Sequence, residues 1–300
     1  MVHFFHSDRF VPTLPEGHRF PIEKYGLLRE QLLYEGVVSP ADLTEAPPVA
    51  EADIERAHTL RYWHAMRDLQ LCPREMRRIG FPQSLSLVDR SRRSVQGTLL
   101  AVQHALAHGC GVNLAGGTHH AYADHGEGFC LLNDIAIAAR WLLDQRLVRQ
   151  VLIVDLDVHQ GNGNACLFAQ EPRVFTFSVH CQANYPLRKE RSDLDLPLPA
   201  GTGDTAYLTA LRDTLPRLIE RVRPDVIFYQ AGVDVLATDK LGRLSLSPQG
   251  CRQRDEVVLD LCAQHQVPVA ISLGGGYSLR VADTVAAHAQ TFRLAVERWG

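Results

Sequence analysis

From residue 94 onward the chain repeats one pattern. A stretch with apolar residues three and four apart is followed by a short run of consecutive apolar residues, and then by a polar or glycine-rich break. Helices are predicted over 94–108, 131–145 and 204–222, from Ser247-Pro248 onward, and over about 278–299. Gly109 stops the first of these, Asp204 can cap the third, and Pro248 suits a first helical position. Between them, 112–115, 151–154, 174–179, 226–229 and 267–273 read as buried strands rich in β-branched residues. Before residue 94 the pattern is less regular. Helices are expected over 20–35, where Ile22, Tyr25, Leu28, Leu32 and Leu33 are helically spaced, and over 53–68. Ala46-Pro-Pro48 and Gly80-Phe-Pro82 mark breaks.

Strands alternating with helices predict an α/β fold, a single domain over 1–300 with a central parallel sheet flanked by helices on both faces. Such sheets bind ligands beyond the carboxyl ends of their strands. His119 and His120, Asp157 and His159, His180 and Tyr185, Asp234, and Tyr277 all follow a predicted strand end. In Val151-Leu-Ile-Val-Asp-Leu-Asp-Val-His159, the strand places Asp155, Asp157 and His159 at alternate positions, so the three are expected to share one face. Gly161 and Gly163 would then end it in a tight turn.

Two acids and a histidine crowded on one face conflict in a plain core, and a divalent cation resolves the conflict. Any one such residue is more often a cap or a hydrogen-bonded loop residue. With Asp234 from the next strand end, however, Asp157 and His159 make three ligands, which leaves room for water and substrate as at a catalytic zinc. The oxygen-rich set also suits Fe²⁺, Co²⁺ or Mn²⁺. His119 and His120 could serve as base and acid, with Asp155 orienting one ring and Asn162 the other. A carboxylate partner favours the imidazolium, whereas an amide only orients the ring. Tyr277 could donate to a developing oxyanion. The preceding Gly274-Gly-Gly lacks a P-loop lysine.

Composition narrows this picture in three ways. A net charge of −3 offers no basic field for nucleic acid. No run approaches the roughly 18 apolar residues of a membrane span, and the first ten residues lack the apolar core of a signal peptide. The seven cysteines include no CxxC pair, which points to a reducing, cytoplasmic setting.

Five motifs in order, Gly116-Gly-Thr-His-His-Ala121, Gly128-Phe-Cys130, Asp155-Leu-Asp-Val-His-Gln-Gly-Asn-Gly163, Gln230-Ala-Gly-Val-Asp234 and Leu273-Gly-Gly-Gly-Tyr277, resemble those of histone deacetylase-like zinc amidohydrolases. Gln160 and Asn162 resemble the class IV branch; many relatives carry Asp where Asn162 stands. The resemblance covers roughly residues 90–290 and implies the arginase–deacetylase fold. It implies zinc held by Asp157, His159 and Asp234, proton handling by His119 and His120 with Asp155 and Asn162 behind them, and carbonyl polarisation by Tyr277. It further implies an acyl channel at Gly128, Phe129, Tyr185 and Gly275, and a structural potassium ion at Asp155, Asp157, His159, Ser178 and Val179.

The expected activity is hydrolysis of an N-acyl amide, either acyl-lysine in a protein or a small acylated amine such as an acetylpolyamine. A two-metal ureohydrolase and a non-catalytic acyl-lysine binding module are the alternatives. The motifs leave acyl length and oligomeric state open.

Overall fold

The computed structural model describes residues 1–300. Eight strands, β1 (His3–His6), β2 (Leu43–Glu45), β3 (Cys110–Asn113), β4 (Val151–Asp155), β5 (Val174–Cys181), β6 (Leu194–Leu198), β7 (Val226–Gln230) and β8 (Val269–Ser272), form one sheet in the order β2-β1-β3-β8-β7-β4-β5-β6. Every neighbouring pair is parallel. The helices are α1 (Lys24–Tyr34), α2 (Glu51–Ile54), α3 (Leu60–Arg67), α4 (Pro73–Ile79), α5 (Leu85–His108), α6 (Asp134–Asp144), α7 (Asn162–Phe168), α8 (Asp204–Val222), α9 (Pro248–Gln264) and α10 (Val281–Trp299). Strands β3, β4 and β7 are buried along their whole length, as a parallel sheet covered on both faces requires. No helix is long and apolar enough to cross a membrane.

Four local expectations change. The predicted helix over 53–68 is two helices, because the chain turns after α2 and restarts where the Thr59 side chain accepts the Tyr62 amide. Helix α5 begins nine residues before the predicted 94, capped by Ser84. Its first turn buries Leu87 and Val88, but the run 89–94 is wholly polar and hides the helical period; that run is held by tertiary bonds, as Arg92 donates to Val49 O and Arg93 to Ala46 O. Three strands were not legible: β1, second from one edge, carries only two apolar residues, β2 at that edge is the three residues LTE, and β6 at the other edge is LDLPL, whose proline is tolerated only at an edge.

The fourth change concerns the central motif. The strand β4 ends at Asp155, and Asp157 and His159 lie on the bend that follows. The three residues therefore do not share a face by strand alternation: Asp155 turns to His119, whereas Asp157 and His159 turn to Asp234. Of the two glycines, Gly161 does turn the chain tightly: at φ −72° and ψ 65° it centres a three-residue turn closed by Asn162 N–H to Gln160 O at 2.8 Å, whereas Gly163 lies inside α7, and both are needed for close approach. A Cβ on Gly161 would lie 2.3 Å from Asp155 Oδ2, and one on Gly163 would lie 2.4 Å from Ala121 O.

The bends that carry the candidate ligands are clamped from below. Arg254 of α9, fully buried, donates to the carbonyls of Leu156 and Gly232, one on each bend. Its guanidinium pairs with Asp255 at 2.7 Å, and Asp255 also accepts from the hydroxyls of Tyr229 and Thr291.

Candidate active site

The bends after β4 and β7 bring Asp157, His159 and Asp234 together. One donor atom from each lies within 4.8 Å of the other two, and all three residues are buried. His159 Nδ1 is 3.0 Å from Asp157 Oδ1 and 3.1 Å from Asp234 Oδ2. Backbone amides aim the carboxylates: Val158 N–H donates to Asp234 Oδ1 and Gly275 N–H to Asp157 Oδ2. Glycine at 275 is forced by proximity, since a Cβ there would fall 1.9 Å from Asp234 Oδ2.

The group is electrostatically frustrated as it stands. Burial, reinforced by the Asp157 charge, pushes Asp234 up to about 7. Burial opposes a charged His159, but the two carboxylates outweigh it and raise that ring to about 10. Two buried carboxylates thus compete for one proton on one imidazole. A dication among these donors neutralises both acids and leaves the imidazole as a neutral ligand, so the residues fit a divalent metal.

Beside this cluster, His119 and His120 approach Nε2 to Nε2 at 3.1 Å. Asp155 Oδ2 sits 2.7 Å behind His119 Nδ1, and Asn162 Oδ1 sits 2.5 Å behind His120 Nδ1. Burial disfavours a charge on either ring. At His119 the carboxylates of Asp155 and Asp157 outweigh burial and raise the pKa, while at His120 the His119 and His159 charges add to burial and depress it well below the usual value. A dication on Asp157 would remove part of the support for a charged His119 and leave Asp155 as its partner.

One member of this chain was not legible in the sequence. Glu127 is buried, and its Oε1 accepts a 2.6 Å bond from Asn162 Nδ2. That bond fixes the amide so that its oxygen faces His120. A carboxylate therefore stands one residue behind His120, relayed by an amide. A glutamate before Gly128 carries no local signal, because its partner is thirty-five positions away.

A cavity of about 400 Å³ runs from the surface to these groups. Gly128, Phe129, Tyr185, Gly275 and Tyr277 all line it. Gly128 also makes room for His120, since a Cβ there would lie 2.6 Å from His120 Cδ2. Tyr185 stands at the mouth, 39% exposed, with its ring edge-on to His120. The N-terminal third, to which the sequence assigned no role, supplies much of the wall. His18 Nε2–H donates to Gly80 O from a position stacked on Phe81, and Phe20 and Phe81 pack against Phe129. Phe20 lines the cavity itself, and His18 packs behind the wall against Phe81 and Phe129. Burial and the nearby Asp234 and Asp157 charges hold the Tyr277 hydroxyl far above its ordinary pKa, so it is a proton donor in hydrogen bonds.

The remaining sequence candidates lie close by. Ser178 pairs with Asp155 across the β4–β5 ladder, and its hydroxyl meets His180 Nδ1 at 3.0 Å; Val179 follows it in β5. Gln160 is structural: its amide holds both the N–H and the carbonyl of Glu190.

Comparison with known proteins identifies the family. The histone deacetylase domain model matches residues 18–292. A protein of Picosynechococcus sp., described as uncharacterized, is 45% identical over 97% of both chains. A probable deacetylase of Archaeoglobus fulgidus is 28% identical over 89% of this chain and 77% of its own, and histone deacetylase 2 of Arabidopsis thaliana is 28% identical over 90% and 72%. A crystal structure of an HDAC homolog complexed with SAHA superposes with a TM-score of 0.85 at 23% identity, covering 99% of this chain and 84% of that one, which establishes the shared fold. The family match spans most of the chain and the 45%-identical relative nearly all of it, so the protein belongs to the histone deacetylase family and is a hydrolase of the deacetylase kind.

Proposed function

We propose that the protein is a one-metal amidohydrolase, a single catalytic domain over residues 1–300 acting in the cytoplasm, that removes acetyl or another acyl group from acylated lysine or a related amine. The observation that carries this reading is the convergence of Asp157, His159 and Asp234 at the floor of a cavity that also holds the His119–His120 pair and Tyr277. Asp157, His159 and Asp234 would hold the ion, zinc in the first instance, with Fe²⁺ or Co²⁺ as alternatives. Bound there, it would supply Lewis acidity for the amide carbonyl and bring the pKa of a water down towards ~7.

The protein's own groups do the rest. His120, oriented by an amide, stays neutral and accepts the proton of the attacking water at Nε2. His119, backed by the Asp155 carboxylate, holds positive charge beside the forming tetrahedral centre, and the pair returns a proton to the leaving amine. Tyr277 donates its hydroxyl hydrogen to the oxygen that becomes negative. Phe129 and Tyr185 enclose the acyl-bearing stem and exclude water. A potassium ion held by Asp155, Asp157, His159, Ser178 and Val179 would brace the same bend. The Gln160–Asn162 pattern supports placement near the class IV branch.

Two substitutions test the roles. Tyr277→Phe is expected to lower kcat by about 10²–10³ with KM little changed, because only the bond to the oxyanion is lost. Glu127→Gln is expected to lower kcat about tenfold while thermal stability stays near that of the parent, because the relay behind His120 loses its charge. Steady-state kinetics with a thermal melt reads both; full activity in Glu127→Gln would remove that residue from the relay.

A ureohydrolase would need a second set of anionic ligands next to His159. The side chains that follow are Gln160, committed to Glu190, and Asn162, committed to His120, which favours one metal. The decisive test is a screen of zinc-loaded protein against acetyl-lysine, longer acyl-lysine and acetylpolyamine, read by mass change. Loss of an acyl group from at least one of them is expected; no change in any would overturn the reading, as a binding module would behave.

A further inference from the structure

The charges around the cavity are lopsided. Its lining includes Arg19, Arg78 and Arg243 towards solvent and Arg90 within, and its only acids are Asp157 and Asp234, which the metal would neutralise. The three outer arginines come from three separate segments: the loop before α1, helix α4, and the loop between β7 and α9. All three are exposed. Among them only Arg78 has a carboxylate within 4.0 Å, the buried Glu127, so Arg19 and Arg243 are unpaired. A shallow cleft continues from the mouth over Gly17, Arg19, Arg77 and Arg78 and contains no acid at all. Arg77, too, has no carboxylate partner and is exposed. Leu187, two residues after Tyr185, also lines the cavity and is 93% exposed. This cationic rim is set in a chain whose net charge is −3, so it is a local feature and not a reflection of overall composition.

Resting on the amidohydrolase reading above, we propose that the substrate is an acyl-lysine in an acidic protein segment, with aspartate or glutamate flanking the modified lysine. Four unpaired or weakly paired guanidiniums around one opening disfavour a polyamine or a basic tail and attract carboxylates, which they can bind in bidentate fashion. The cleft beyond the mouth favours a chain over a small molecule. A free acylated amine would end at the opening, whereas a peptide extends along the Arg19–Arg77–Arg78 surface. The flanking contacts act in binding and steering, outside the chemical step, so the preference belongs in KM and fades with salt.

The test uses zinc-loaded full-length protein and acetyl-lysine heptapeptides flanked by aspartate, glycine or arginine, with N-succinyl-acetyl-lysine amide as a small anionic probe. The aspartate-flanked peptide is expected to have the lowest KM, about tenfold below the glycine-flanked one at low salt, with similar kcat. Arg19→Gln, Arg77→Gln and Arg243→Gln should each raise that KM about threefold, and the triple variant should bring the acidic-to-glycine ratio close to one. Equal KM values for the three peptides, a preference for arginine flanks, or a succinyl probe as good as the aspartate peptide would overturn the proposal. Peptide affinities measured by calorimetry on Tyr277→Phe protein separate the two claims. Absence of hydrolysis in the parent would sink the amidohydrolase reading, while the ranking of affinities decides the rim.

Discussion

Asp234→Asn is expected to abolish metal retention and to lower acyl-amide hydrolysis by about 10⁴-fold or more, the loss that follows when both the Lewis acid and the activated water disappear. The substitution keeps volume and changes charge. Asp234 Oδ1 accepts the Val158 amide and Oδ2 faces His159 Nδ1, so an asparagine that keeps the first bond turns its NH₂ group into the donor cluster. The same change should have opposite effects on stability with and without metal. In chelator, the variant should be as stable as the parent or more so, because burial and the Asp157 charge already push the Asp234 carboxyl up to about 7 and the amide relieves that repulsion. With zinc at about a thousand times its dissociation constant, the parent gains about 4 kcal/mol by mass action and the variant gains almost nothing. Thermal melts with and without zinc, run beside elemental analysis, read all three effects. A variant that melts far below the parent in chelator would mean that Asp234 is a structural residue and not a ligand.

Arg254→Met should cost about 3–5 kcal/mol of stability, the usual loss when one partner of a buried ion pair is removed. Asp255 would keep its bonds from Tyr229 and Thr291 but lose the guanidinium that balances its charge, at a position 0% exposed. The carbonyls of Leu156 and Gly232 would lose their shared donor. These carbonyls belong to the bends that carry Asp157, His159 and Asp234, so zinc affinity should fall along with stability. Chemical denaturation of metal-free protein measures the first effect and zinc titration the second. The pair Arg254→Met with Asp255→Leu should recover much of the stability, because no unbalanced charge remains, yet it should leave the zinc affinity low. Recovery of both would mean that the clamp on the bends is immaterial.

The alternation of apolar runs and helical stretches after residue 94 was enough to read a parallel α/β sheet and to locate its active rim, because buried parallel strands are nearly pure hydrophobic runs. The residues proposed for metal and proton chemistry stood out because they follow strand ends, and the fold brings them to one cavity. One step of that reading failed: Asp157 and His159 gather on a bend after the strand, not along its face, and Gly163 lies inside α7 and not in a turn. Glu127, Arg254 and the packing of His18, Phe20 and Phe81 against Phe129 were not legible for a common reason. Each acts through partners tens of residues away, and nothing in its neighbouring sequence distinguishes it from an ordinary surface or core residue. The arginine rim is hidden in the same way, since its members come from three segments that only the fold brings to one opening.

The most direct measurement is a zinc titration of chelator-stripped protein with acetate release from an acetyl-lysine peptide followed at each addition. Hydrolysis should be absent at the start, rise in proportion to zinc, and level off at one ion per chain, with no rise in His159→Ala protein. Turnover by the stripped protein, or a plateau only at two ions per chain, would contradict a single ion held by Asp157, His159 and Asp234.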